Sequence, residues 1–353
     1  MTQAERLLDS FINTNNTPSL HYIHFTSENV IYEYCQGLAN IKNEVRITDR
    51  SLFHACSVTK TFTALAILQL QQQGKLNIET PVEAYLPGFP YPNDITIHQL
   101  LSHTAGIPNP IPLRWIHLEN EHSSFDRDLF FKSIFEKHRK VKTGPNEKFL
   151  YSNLGYVLLG QLIEKISGEN YEQFITKNII GKLGLQPGEL GFTVTNVSSN
   201  VTGYQKRWTF MNFLLSSFLD KSKFMDKAQG KWKPFKTFYI NGSPYGGLIG
   251  TANSFRKYVQ ELLTKDNSLL GDQSKNLLFT ENHTNDNRST RMCISWFCSQ
   301  MNGVKYFAHP GGGGGFYCEL RLYPEINRGS VIMFNRTGIS NERFLDKIDK
   351  YFV

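Results

Sequence analysis

Apolar residues recur along this chain with two periods, and the period changes with position. Near the N-terminus Leu7, Leu8, Phe11 and Ile12 fall at helical spacing in the otherwise polar stretch from Met1 to Asn16, which predicts an amphipathic first helix. From Leu20 to Phe25 and from Val30 to Gln36 the pattern shortens to alternation of β-forming residues. Thr26-Ser27-Glu28-Asn29 supplies turn chemistry between them, so the two runs predict an antiparallel hairpin. The same arrangement returns near the other end, where Phe316 to Tyr323 and Ser330 to Phe334 flank Pro324-Glu325-Ile326-Asn327-Arg328-Gly329.

Between these hairpins the periodicity is helical. The run from Thr61 to Leu70 is apolar nearly all round and stops at Gly74, the signature of a buried helix. Thr96 caps a short helix to Ser102, a longer one runs from Leu154 to Ile166 and ends at Gly168, and another is expected from Tyr171 to Leu183. Strands at both ends with helices between them imply an α+β fold, with one antiparallel sheet formed by both termini, flanking helices and an inserted mainly helical subdomain. The expected organisation is one unit over 1–353, with an α/β part at about 1–75 and 245–353 and a helical part at about 76–244.

Composition narrows the partners. With 353 residues, 40% hydrophobic and 20% charged, the chain has ample material for a core. The net charge of +7 is spread over lysines and acids that alternate along most of the chain, which favours a solvated surface over nucleic-acid binding. Cys35, Cys56, Cys293, Cys298 and Cys318 are odd in number and lack paired spacing, which argues against a disulfide scaffold. His21 and His24 fall on opposite sides of a strand, and Cys293 with Cys298 lacks ligand spacing, so neither a metal nor another cofactor is expected. No run reaches the length of a membrane span, and Met1 to Asn16 does not read as a signal peptide. A cytoplasmic location is expected, or a periplasmic or extracellular one if a leader has been removed. Nothing in the pattern points to an oligomeric state.

Candidate chemistry begins at Ser57-Val58-Thr59-Lys60, where the buried helix starts. Residues three apart share a helix face, so Lys60 can reach the Ser57 hydroxyl. Burial and the positive end of the helix both favour a neutral amine, which can serve as a base. The bland alternative is a solvated helix start. Cys56 is expected to pack as a small apolar residue pointing away from Lys60. Tyr151-Ser152-Asn153 follows the turn-forming Lys142-Thr143-Gly144-Pro145-Asn146: Tyr151 could move a proton, and Asn153 could donate to a substrate carbonyl and accept from Lys60. Read alone, the triplet is equally a buried tyrosine before a capping Ser or Asn. His309-Pro310-Gly311-Gly312 opens a glycine run to Gly315 that lets a substrate lie along a strand edge, with the Gly312 N–H completing an oxyanion hole with that of Ser57. A phosphate loop fits less well, because no Lys-Ser/Thr follows the glycines.

Ser57-Val58-Thr59-Lys60, Tyr151-Ser152-Asn153 and His309-Pro310-Gly311 together resemble, in order and spacing, the serine β-lactamase and penicillin-binding-protein-like hydrolases, most of all the class C β-lactamase and D-alanyl-D-alanine carboxypeptidase branch. The likeness runs from Leu52-Phe53 through Leu100-Leu101-Ser102-His103-Thr104-Ala105-Gly106 to Gly246-Gly247-Leu248 and the last hairpin. It implies that Ser57 forms an acyl-enzyme while Lys60 and Tyr151 relay the proton, that Asn153, His309, Gly311 and Gly312 bind substrate, and that no cofactor takes part. It treats His103 as structural. His309 stands where many relatives carry lysine, and could assist Tyr151 electrostatically or shape the pocket.

Pro310 departs from the hydroxyl-bearing residue of lactam-hydrolysing relatives and offers neither hydroxyl nor N–H. The expected activity is therefore an esterase or amidase acting on a small-molecule or peptide acyl substrate. A β-lactamase or D-alanyl-D-alanine carboxypeptidase is the first alternative, and a catalytically lapsed binding protein the second. The aromatic and basic stretch from Lys206 to Tyr239, with Phe210, Phe213, Leu214 and Phe218 on one helical face, reads as a subdomain cap in preference to a membrane-surface helix and is expected to form a wall of the acyl pocket.

Overall fold

The two hairpins read at the ends of the chain meet in one sheet. A computed structural model describes residues 2–209, 219–337 and 343–353. Strands β1 (Ser19–Phe25) and β2 (Val30–Asn40) form the first hairpin, followed by the short β3 (Val45–Arg46). Small sheets then use β4 (Phe53–His54), β5 (Ile116–Leu118), β6 (Leu190–Gly191), β7 (Tyr204–Lys206), β8 (Trp232–Pro234), β9 (Phe238–Ile240) and β10 (Ile249–Gly250). The chain returns to the main sheet with β11 (Phe297–Met301), β12 (Val304–Gly313), β13 (Phe316–Tyr323) and β14 (Arg328–Phe334). Its order among the described strands is β11-β12-β13-β14-β1-β2-β3, antiparallel throughout. The central pairing, Leu20 with Phe334 through Phe25 with Gly329, joins the two ends, and the Ser19 N–H donates to Asn335 Oδ1 at 2.8 Å across the seam.

Helix α1 (Gln3–Asn13) starts at a capping box between Thr2 and Glu5. It lays Ala4 and Leu8 on Leu20, Tyr22 and Phe334 at one face of the sheet. On the other side, α2 (Thr59–Gln72) is buried from Thr59 through Leu70, as its all-round apolar sequence requires. Then come α3 (Ile97–Leu101), capped by Thr96, α4 (Arg127–Lys137) and α5 (Asn153–Ser167), which ends at Gly168 in the left-handed region, φ 73°. Helix α6 (Tyr171–Asn178) stops short of the expected Leu183: Ile179 leaves helical geometry at φ −122°, ψ −65°, and only a 3-10 turn follows. The helical face expected from Phe210, Phe213, Leu214 and Phe218 lies outside the described residues. Among the described residues no helix is long and apolar enough to cross a membrane.

Behind β13 sits an ion cluster in which Arg321, Glu319 and Asp349 are fully buried and Asp346 reaches the surface. Arg321 donates to Glu319 Oε1 and to Asp346 Oδ1, both at 2.7 Å, and its Nε lies 3.9 Å from Asp349 Oδ2. Tyr22 and Tyr323 each donate to the Asp349 carboxylate at 2.9 Å. Three carboxylates hold the guanidinium charged in spite of burial, and the cluster fastens the last turns of the chain to β13 and β1.

Candidate active site

Ser57 sits in a one-turn 3-10 segment, Cys56–Val58, that feeds directly into α2. Cys56 adopts φ 49°, a left-handed conformation that turns the chain sharply just before the serine. The turn is fixed on both sides: Thr59 Oγ1 donates to the Cys56 carbonyl at 2.7 Å and accepts from the Leu248 N–H at 3.1 Å. Gly311 of β12 closes it from above. A Cβ at that position would lie 2.4 Å from the Ala55 oxygen and 2.8 Å from the Ser57 nitrogen, so only glycine lets the strand pack against the turn.

Lys60 is fully buried, and its Nζ stands 3.2 Å from Ser57 Oγ. Three rings surround the amine, with the centroids of Tyr151, Tyr245 and Tyr156 at 5.0, 5.3 and 5.5 Å. No ion pair to Lys60 is present among the described residues. Burial drives its pKa well below the ordinary lysine value, which makes the free amine accessible near neutrality. That amine donates one N–H to the Tyr245 carbonyl at 2.8 Å, which orients the group so that its lone pair can face the Ser57 hydroxyl. Asn153, expected to accept from Lys60, does not do so among the described contacts: the carbonyl of Tyr245 takes that place.

Tyr151 is set by the loop before α5. The Leu150 N–H donates to the His103 carbonyl at 2.7 Å, the Ser152 N–H donates to His103 Nδ1 at 3.1 Å, and the imidazole lies against the Tyr151 ring, 4.3 Å between centroids. With Nδ1 accepting, His103 carries its hydrogen on Nε2, and burial together with nearby Lys60 and His309 keeps the ring neutral. Ser152 caps α5 through the Gly155 N–H at 3.1 Å. Asn153, at 6% exposure, donates its N–H to Asn109 Oδ1, while its own side-chain Oδ1 is buried without a hydrogen-bond partner among the described residues. A buried acceptor left open costs free energy unless a ligand satisfies it.

The third segment behaves differently from the expectation. His309 is fully buried, its Nδ1 donates to the Ser295 carbonyl, and burial followed by the Lys60 charge lowers its pKa to about 3. A neutral imidazole cannot assist Tyr151 as a cation. Neither His309 nor Gly311 lines the cavity beside Ser57, because both face the packed side of β12; Gly312 does line it.

That cavity has a volume of about 330 Å³. Ser57, Tyr151, Asn153 and Gly312 stand on its polar side, with Lys60 just behind them. Its other walls are Trp115 and Ile116 at β5, Leu219, Phe235, Phe238 and Ile240, and Tyr245. Leu219, Phe235 and Phe238 come from the aromatic and basic stretch, where a pocket wall was expected. Cys56 is buried as expected, its sulfur 3.7 Å from the Gly313 carbonyl, but it also lines the cavity and is close enough to feel the Lys60 charge; burial raises its thiol to about 12. Trp115 and Tyr245 carry no motif in the sequence. Their roles arise from β5 pairing with β9 and from the bend that aims the Tyr245 carbonyl at Lys60.

A buried serine–lysine pair at the head of a core helix, beside a glycine-edged strand of an antiparallel sheet, defines a β-lactamase/transpeptidase-type α+β protein. The chain belongs to the β-lactamase family, whose profile matches residues 4–349. It is 25% identical over 311 residues to penicillin-binding protein 4* of Bacillus subtilis, a match covering 87% of this chain and 66% of that protein. It is 24% identical over 347 residues to protein flp of Staphylococcus aureus, covering 94% of this chain and 62% of that one. The chain thus spans just under two thirds of the length of these relatives. Among solved structures, the octameric penicillin-binding protein homologue from Pyrococcus abyssi superposes with a TM-score of 0.77 at 22% identity, covering 95% of this chain and 73% of the other. The D-alanine carboxypeptidase AmpC from Burkholderia cenocepacia gives 0.73 at 17% identity, covering 97% and 95%.

Proposed function

We propose that this protein is a serine acyl hydrolase that cleaves an ester or amide bearing a small apolar acyl group, through an acyl-enzyme on Ser57. The observation that carries this reading is the fully buried Lys60 amine, 3.2 Å from Ser57 Oγ and without a carboxylate partner among the described residues. In the acylation step the Ser57 oxygen attacks the carbonyl carbon as its proton passes to Lys60, directly or by way of Tyr151. The oxyanion is received by the backbone N–H groups of Ser57 and Gly312. Tyr151 then protonates the leaving group, and Asn153 Oδ1 accepts from a substrate donor. Water repeats the sequence on the acyl-enzyme, and Ser57 is released. His309 and Gly311 act from behind, by holding β12 against the serine turn.

The walls decide between acyl substrates. Aromatic and aliphatic side chains surround the cavity, no Lys or Arg is among its described lining residues, and Pro310 brings no hydroxyl, so none of the described residues matches the anchoring of a substrate carboxylate. An apolar acyl ester fits these walls better than a β-lactam or an acyl-D-alanyl peptide. The test is a fluorophosphonate label followed by turnover of p-nitrophenyl butyrate and of nitrocefin. Labelling at Ser57, absent in Ser57→Ala, with hydrolysis of the ester and not of the lactam, is the expected result. An unlabelled, well-folded protein would refute the enzyme reading, and turnover of nitrocefin alone would refute the ester preference.

A further inference from the structure

The excess positive charge of this chain is concentrated in one place. Between Lys206 and Tyr239 there are eight Lys and Arg and two acids (8 − 2 = +6), against +7 for the whole sequence. The alternation of lysines and acids that holds elsewhere fails here.

The fold gathers part of this charge around the β7–β8 hairpin. Lys206 pairs with Trp232 across it, Gln205 pairs with Lys233, and the Arg207 N–H donates to the Lys231 carbonyl. Arg336 joins the same edge through its bridge to Tyr204. Lys206 Nζ donates to Asn16 Oδ1 at 2.8 Å, Lys231 Nζ to the Thr14 carbonyl at 3.4 Å, and Arg336 to the Asn16 carbonyl at 2.5 Å. These acceptors are neutral, so they orient the cations without cancelling them. Lys206 also feels the repulsion of Arg336 and Lys231, as Lys221 feels that of Lys233. Next to the cations stands Trp208, 84% exposed, with the Arg207 guanidinium 5.0 Å from its ring centroid. A large indole held in water beside crowded cations is the composition of an interfacial anchor.

We propose that the β7–β8 hairpin, with Arg207, Trp208, Lys231 and Lys233, docks on an anionic lipid bilayer, the cations meeting headgroup phosphates and the indole entering the headgroup layer. A bilayer explains the exposed indole, which a purely polyanionic partner would leave without an apolar phase. The adjoining Leu219, Phe235 and Phe238 would set the acyl cavity close to the lipid surface, although docking itself does not depend on the reaction proposed above.

Flotation with vesicles of phosphatidylglycerol and phosphatidylcholine in equal parts, against phosphatidylcholine alone, tests this without any turnover. The protein is expected to float with the anionic vesicles only, and to be released by salt. Reversing two charges in Arg207→Glu/Lys231→Glu should weaken binding at least about thirtyfold. Adding anionic vesicles should shift tryptophan emission to the blue in the unaltered chain but not in Trp208→Phe. Hydrolysis of soluble p-nitrophenyl butyrate by both variants should be unchanged, which also reports that they are folded. Absence of flotation, equal flotation with neutral vesicles, or an emission shift that survives Trp208→Phe would overturn the proposal. So would displacement from the vesicles by polyadenylate at equal phosphate, which would point to a nucleic acid.

Discussion

Lys60 and Arg321 are both fully buried cations in one molecule, and their surroundings treat them in opposite ways. Arg321 lies among Glu319, Asp346 and Asp349, and its charge is held firmly. Lys60 has a serine hydroxyl, a backbone carbonyl and three aromatic rings, and its charge is disfavoured. Burial alone therefore does not set the protonation state; the company of carboxylates does. Among the described residues one buried cation is surrounded by three acids and the other by none, a contrast that supports the proposed chemical role for the Ser57 corner and a structural one for the Arg321 cluster.

The sharpest way to break the comparison is to remove each cation in turn. Lys60→Ala should lower kcat/KM for a p-nitrophenyl ester by about 10³- to 10⁴-fold, the range for a lost general base, while thermal unfolding changes little or improves because an expensive buried amine is gone. Arg321→Ala should do the reverse: it leaves Glu319 and Asp349 buried and unpaired, and denaturant unfolding should show a loss of about 3–5 kcal/mol. If Arg321→Ala abolished turnover in protein that remained folded, the division into chemical and structural cations would fail.

A gentler change converts one environment toward the other. Cys56 lines the cavity within reach of the Lys60 charge and already has the positive φ that aspartate tolerates. Cys56→Asp should hold Lys60 protonated, and the acid limb of the kcat/KM–pH profile should move up by about 1–3 pH units. The sign follows from the role: the rate requires the free amine, so it rises with pH through the Lys60 pKa, and any neighbour that raises this pKa delays the rise.

The last effect, small over any single pH unit, concerns stability and pH. His24, His54 and His309 are lowered by burial to about 4, 3 and 3, so below the ordinary histidine value of 6.5 the unfolded chain takes up protons that the folded chain refuses. Stability should therefore fall as pH drops below 6.5, with each histidine contributing about 1.4 kcal/mol per pH unit until its folded pKa is reached. His309→Asn should flatten that slope in urea titrations at successive pH values.

Much of this was legible in the chain. The hairpins at Leu20–Gln36 and Phe316–Phe334, the cap at Thr96 and the stop at Gly168 follow local rules of alternation, capping and positive φ, and the fold keeps them. So did the approach of Lys60 to Ser57, because three residues along a helix fix it. Helix α6 was read too long, since an apolar pattern through Leu183 does not reveal the break at Ile179. The role of the Tyr245 carbonyl was invisible, as any residue type offers one and only the tertiary bend aims it. Which of the two roles left open for His309 applies was hidden for a related reason: histidine is ionisable in sequence, and the burial that disfavours its charge here comes from packing that no motif encodes. His103, set aside as structural, proves to be the surface on which Tyr151 rests.

The seam between β1 and β14 has a consequence for how the protein is born. Ser19 meets Asn335 across more than three hundred intervening residues, and β12, which closes the serine turn, belongs to the same late-made end. While the ribosome is still working toward that end, β1 has no β14 to pair with and Gly311 cannot close over Ser57. The geometry proposed to activate Ser57 and Lys60 therefore depends on β12 and β14, and a chain cut before them would carry the motif without that geometry.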